Sequence, residues 1–187
     1  MKYSNSFVLT ALLSGFISLN VQAQPIQILD QQAQQMSAAF ASELMSALTL
    51  AIQQGGHPQG VNTCQVIAPA IAARYSQNGW QIGRTSLQLR NTNNQPDNWE
   101  ATMLKQFAEA RLQMPDQVPN TVSKLENNEY RYMRPIVMAQ PCLACHGQQI
   151  PEGTNAAIKT AYPNDRATGY QLGDIRGAFT LRKSGVQ

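Results

Sequence analysis

Charge is scarce in this sequence: Asp, Glu, Lys and Arg make up only 13% of its 187 residues. The formal net charge is +3 and the basic residues form no run, which argues against nucleic acid as a partner. Histidine is rarer still, with His57 and His146 alone. No nucleophile–base–acid set emerges around them, so conventional catalysis has little support. No internal repeat or low-complexity tract is present. After Leu19 no long apolar run follows, so nothing beyond the N-terminus predicts a membrane span. Cysteine is limited to Cys64, Cys142 and Cys145, an odd number that leaves at least one thiol outside any internal pairing.

What is present begins with an export signal. One positive charge at Lys2 precedes an apolar stretch from Phe7 to Leu19, and Val21-Gln22-Ala23 then offers the small residues read by a signal peptidase. The stretch is shorter than the roughly 20 residues that cross a bilayer, which weighs against an uncleaved anchor. The expectation is a signal peptide over residues 1–23, cleavage before Gln24 and a periplasmic mature protein with no membrane span. Its length suits one ordinary domain.

Periodicity predicts a long helix from Ile26 to Gln54, with Leu29, Ala33, Met36, Phe40, Leu44, Ala47 and Ala51 on one stripe. The stripe either packs on the domain body or, since its spacing also fits short heptads, forms the seam of a homodimer. Gly55-Gly56 ends this helix, giving a boundary between 24–56 and 57–187. Asn62 or Thr63 caps a second helix carrying Cys64, Ile67, Ile71 and Tyr75, interrupted at Pro69. A strand is expected over Trp80–Arg90, with Ile82, Arg84, Ser86, Gln88 and Arg90 on one face. Asp97 and Glu100 form a capping box for a helix to about Leu112, buried through Trp99, Met103, Phe107 and Ala110. Val118–Leu125 and Glu129–Met138 read as strands joined at Asn127-Asn128. A loop to about Gly173 and a last strand, Gly177–Lys183, complete an α+β pattern with an antiparallel sheet flanked by helices.

Cys142-Leu143-Ala144-Cys145-His146 has the spacing of covalent haem attachment. Two thiols three positions apart can each form a thioether with a haem vinyl group, and the imidazole that follows reaches iron. Gly147 lets the chain turn away without a side chain against the ring. Two other readings exist. A redox-active disulfide of the thioredoxin kind would place the motif at a helix start early in a βαβ unit, whereas here it comes late. A structural zinc site would need all three cysteines and His146. With iron on His146, the second axial position has several contenders: Cys64, His57, Met133, Met138 and the remaining methionines of the mature chain. Methionine is the common partner in electron-transfer cytochromes, while Cys64 on an apolar helix face also fits a small buried hydrophobe.

Asn62-Thr63-Cys64 with Ala68-Pro69-Ala70-Ile71-Ala72, then Gly83-Arg84-Thr85-Ser86-Leu87-Gln88-Leu89-Arg90-Asn91, resembles the Tll0287-like haem-domain family. Asn94 to Glu100, Cys142 to Gly147 and Gly169 to Gly177, with its Gly-Asp-Ile-Arg-Gly, look like later signatures of the same family. The resemblance spans roughly residues 40 to 183. It implies a PAS-like fold with a single c-type haem and a His/Cys axial pair, which maps onto His146 and Cys64. On that reading Arg84 and Arg90 become contenders for the haem propionates, since guanidinium matches carboxylate bidentately. Plain strand solubility is the other account of them.

The functional expectation is a low-potential electron carrier or redox sensor working with a separate redox partner protein. A haem-based NO or CO sensor, in which Cys64 leaves the iron, is one alternative. A haem-free thiol-disulfide oxidoreductase is another.

Overall fold

The computed structural model describes residues 23–186; the signal-peptide reading lies outside the described residues except at Ala23. The chain forms an α+β fold: a four-stranded antiparallel sheet with helices on both faces. Helix α1 (Ala23–Tyr75) is followed by β1 (Trp80–Thr85), α2 (Asn98–Gln113), β2 (Val122–Glu126) and β3 (Glu129–Val137). The short α3 (Leu143–His146), α4 (Glu152–Ala161) and β4 (Ile175–Ser184) complete the chain. The strand order is β1-β4-β3-β2, so the last strand inserts between the first and third. No described helix is long and apolar enough to cross a membrane.

The glycine pair ends the first helical run of α1, as the sequence predicts: Gly55 and Gly56 both leave helical φ/ψ, and α1 is two helices joined across a kink. Gly56 takes a φ of 71°, in the left-handed region where a Cβ is disfavoured, and the helix resumes at once. Pro58 falls in the first turn of the resumed segment, where its missing N–H costs little. The second segment therefore starts before Asn62, earlier than a cap there predicts. Both segments lie on the same sheet face. Leu29, Ala33, Phe40 and Leu44 from the first and Ala68 and Ile71 from the second share a core with Trp80, Ile82, Tyr130, Tyr132, Phe179 and Leu181. The apolar stripe is thus spent on the protein's own sheet. Phe40 meets Phe179 edge-to-face at 5.6 Å, a geometry aromatic quadrupoles favour.

The opposite face is covered by α2. Leu104, Phe107, Met133 and Ala178 form its core, with Trp99 and Met103 partly buried against it. Leu104 joins the expected set, while Ala110 stays half-buried outside it. The capping box forms as the sequence predicts, and Glu100 then does more. Its carboxylate accepts from Thr180 Oγ1 at 2.7 Å, from Arg131 at 3.2 Å and from Arg182 at 3.4 Å. Asp97 receives both arginines at 2.6 Å.

Two local expectations are corrected. The first strand ends at Thr85, not Arg90, because pairing with β4 stops at Thr85–Ala178. There the backbones converge so closely that a Cβ on Gly177 would lie 2.4 Å from the Thr85 carbonyl oxygen. Ser86–Arg90 leaves the sheet and crosses toward the cysteine motif. The loop expected after the motif contains α4, whose glycine, threonine and asparagine content hides a helix held by docking. Thr154 and Ile158, one turn apart, are buried, and Gln65 on α1 donates to the Ala161 carbonyl at 3.0 Å.

Glu100 is 3% exposed, and its removal leaves the Thr180 hydroxyl without its acceptor and Arg131 and Arg182 on Asp97 alone. Glu100→Ala should therefore lower the urea-derived unfolding free energy by about 1–3 kcal/mol, the cost of buried polar groups left short of partners. A loss under about 1 kcal/mol would mean the network contributes nothing net.

Candidate functional site

Five chain segments meet on the α1 side of the sheet at one end. They are the resumed part of α1 with Cys64, β1 and its extension with Arg84 and Arg90, α3 with Cys145 and His146, the segment after α4, and the start of β4. The motif is compact because a single 3-10 turn, Gln140–Cys142, leads straight into α3. Both motif cysteines and Cys64 are free and half-buried. Gly147 ends the turn where a Cβ would sit 2.6 Å from the Leu143 carbonyl oxygen. Only glycine lets the chain pass there.

The strand-like segment Gly169-Tyr170 lies alongside the motif. Gly169 N donates to the Gly147 carbonyl and Tyr170 N to that of His146, each at 3.0 Å. Beneath, Met138, Ala167 and Tyr170 form a small core against which Cys142 and Leu143 pack. Met133 belongs instead to the α2-side core. Of the methionines named as axial contenders, Met138 lies beside the motif and Met133 does not.

His146 is held by its Nδ1, which lies 2.7 Å from the Ala167 carbonyl oxygen. That distance requires Nδ1 to carry the proton and donate, since a bare nitrogen would set two lone pairs face to face. The lone pair of Nε2 is thereby left free. Arg176 Nε also approaches Nδ1, at 3.2 Å, and against a protonated nitrogen this is a charge contact rather than a hydrogen bond. Burial, together with the charges of Arg176 and Arg90, pushes the imidazole down to about 2 in the protein without ligand. His146 is therefore neutral across the working range.

Arg90 is committed to structure. Its guanidinium pairs with Asp165 at 3.0 Å and donates to the carbonyls of Cys145 at 2.6 Å and Ala167 at 3.3 Å. Asp165 in turn accepts from the Ala167 amide at 3.1 Å. Arg84 is different: half-buried, it has no hydrogen-bond or ion-pair partner among the described residues, and it faces Cys64 and Tyr162. Burial pushes the Cys64 thiol up, against the pull of Arg84 and Arg90. Burial likewise pushes up Cys145, with Arg90 opposing and the nearby Cys64 and Cys142 adding to the rise. Cys64, Arg84, Arg90, Cys142, Cys145 and His146 thus gather in one neighbourhood. His57 lies half-buried just past the α1 kink.

Sequence reasoning missed Asp165, Ala167, Tyr162 and Arg176. The Gly-Asp-Ile-Arg-Gly signature pointed at Arg176 without assigning it a role. Two readings lose ground on the geometry. All named strands pair antiparallel, so the βαβ setting of a thioredoxin-like site is missing. Among the described residues no three His, Cys, Asp or Glu side chains converge to hold a metal ion, as a four-ligand zinc site would need.

The family model Tll0287-like matches residues 21–184. Among solved structures, the chain is similar to the cyanobacterial heme-protein Tll0287, with a TM-score of 0.62 and 23% identity over 83% of this chain and 97% of that one. At that identity the likeness is one of fold. No curated protein matches in sequence.

The depressed His146 has a consequence for the haem-free protein. An unfolded chain takes up a proton below about 6.5 that the folded chain refuses down to about 2, so this contribution to stability is whole above that range and is lost as pH falls. From pH 7 to pH 5 the loss amounts to about 2 kcal/mol. His146→Gln should lose correspondingly less over the same interval in denaturant melts. An equal loss in both proteins would show that another group carries the effect.

Proposed function

The chain belongs to the Tll0287-like family, and on that premise we propose that it is an exported, periplasmic mono-haem c-type cytochrome with His146 and Cys64 as axial ligands. The observation that carries the reading is the free Nε2 of His146, left bare by the Nδ1 bond to Ala167 and set directly after two free thiols. A metal-ligating histidine typically donates its other ring N–H to a carbonyl or carboxylate, which fixes the tautomer and raises ligand basicity. This arrangement has that form.

The other donors fit the same group. Cys142 and Cys145 would hold the haem by thioethers. Cys64, close enough to Cys145 for the two thiols to influence each other, would supply the second axial ligand. A thiol held protonated by burial loses its proton outright when it coordinates a cationic metal. Arg84 is an unpartnered, half-buried guanidinium, and such a cation calls for an anion. A haem propionate or the bound thiolate would satisfy it. Arg90 would act at one remove, by fixing the Cys145 and Ala167 carbonyls.

When bound, the haem supplies one-electron chemistry. The protein binds it, keeps His146 neutral and oriented, and shields the motif on its inner side with Met138 and Tyr170. A thiolate ligand favours ferric over ferrous iron, so the potential should be low. The role is then electron carrier or redox sensor, acting with a redox partner protein. The raised Cys64 thiol also favours a second reading. If reduction lets that thiol reprotonate and leave, NO or CO could take its place and the protein would be a gas sensor.

Protein exported from cells equipped for haem maturation should begin at Gln24 by mass spectrometry and keep its Soret band through acid–acetone extraction. Absence of that band would remove the haem reading. Cys64→Ala should alter the ferric spectrum and raise the midpoint potential, and an unaltered spectrum would dismiss Cys64 as ligand. Titration of the reduced protein with CO separates the two roles: an inert haem supports the carrier and a shifted Soret band supports the sensor.

A further inference from the structure

We infer that Arg176 is a positioning residue that holds a permanent positive charge against the back of His146 and so raises the reduction potential of the haem. The inference rests on the haem reading above.

Arg176 reaches this place through constraints on both its ends. Its backbone sits where β4 closes on β1, next to Gly177 and opposite Ser86. Ser86 Oγ donates to the Arg176 carbonyl at 2.8 Å and accepts from Arg176 Nη1 at 2.8 Å. One hydroxyl thus pins both main chain and guanidinium. Nη1 also donates to the Gln88 carbonyl at 3.2 Å, and the guanidinium lies 5.5 Å from the centre of the Tyr170 ring. These contacts leave Nε facing His146 Nδ1 at 3.2 Å. All are to neutral groups. Arg176 makes no ion pair among the described residues, because the carboxylate nearest in the site, Asp165, is taken by Arg90. The charge therefore has no ion-pair partner of its own, and it is close to the ring that would bind iron.

Two influences then act on the same nitrogen in opposite senses. The Ala167 carbonyl draws on the Nδ1 proton, enriches the imidazole and favours the ferric form. The Arg176 cation withdraws density and favours the added electron of the ferrous form. With a thiolate from Cys64 also pulling toward ferric, Arg176 acts as the counterweight. Arginine suits the task because its charge does not titrate away in a protein.

The test is a spectroelectrochemical titration of the exported haem protein, with an electrode as electron source, for wild type, Arg176→Gln, Arg176→Lys and Ser86→Ala. The midpoint of Arg176→Gln should fall with the ferric spectrum still that of the same ligand pair. Arg176→Lys, which keeps the charge, should stay near wild type. Ser86→Ala, which loosens the guanidinium, should fall by less than Arg176→Gln. An unchanged midpoint in Arg176→Gln overturns the inference, as does an equal fall in Arg176→Lys, which would reveal an effect of shape. Should Arg176→Gln fail to accumulate, Ser86→Ala decides: a fall supports the inference and no change removes it. Wild type without covalent haem would remove both this inference and the functional reading, whereas an unmoved Arg176→Gln removes only the former.

Discussion

The ion pair between Arg90 and Asp165 holds together everything the cysteine motif relies on. Arg90 comes from the chain leaving the sheet, and Asp165 from the segment after α4. Their side chains are 12% and 8% exposed, so neither charge is left to water. Through Arg90 the pair grips the Cys145 carbonyl, and through Asp165 it grips the Ala167 amide. The Ala167 carbonyl is then positioned to orient His146. A buried pair of this kind contributes little net stability compared with apolar packing, but it specifies geometry, because each unmade bond would strand a charge. It makes one rigid object of three segments that are far apart in sequence.

The sheet keeps two ionic systems apart. On the α2 face Glu100 and Asp97 absorb Arg131 and Arg182, and the charges there close on themselves. On the α1 face Arg84 and Arg176 form no ion pair among the described residues, the one carboxylate in the site being held by Arg90. The excess of positive charge therefore lies where an anionic ligand set would reside. The kink at Gly55-Gly56 matters for the same reason: it lets one helix line the sheet with Phe40 and Leu44 and then redirect Cys64 toward the motif.

Features with a short-range cause were legible. The Asp97/Glu100 capping box, the Asn127-Asn128 turn with both residues at positive φ, and the stripe on α1 all followed from spacings of a few residues. Features set by distant partners were not. Alternation predicted a strand through Arg90, but the strand ends where β4 stops offering a partner. Helix α4, with Gly153, Asn155 and two threonines in its short length, was hidden by those residues and docks through Thr154 and Ile158. Arg176 had a signature around it and no visible partner, since its place is fixed by a contact with Ser86, 90 residues away.

The sequence by itself determined the chemistry that fits within one turn of chain: two thiols and an imidazole at a fixed spacing, with a glycine behind them. Local covalent geometry sets that reach, whatever the fold around it. The α+β class was also legible, because periodicity records which side of an element avoids water. Only the tertiary structure decided which nitrogen of His146 is free, which arginine is committed and which unpaired, and that Cys64 comes to the same place. Those properties depend on burial and on partners brought together from remote segments, and a linear pattern carries no record of either.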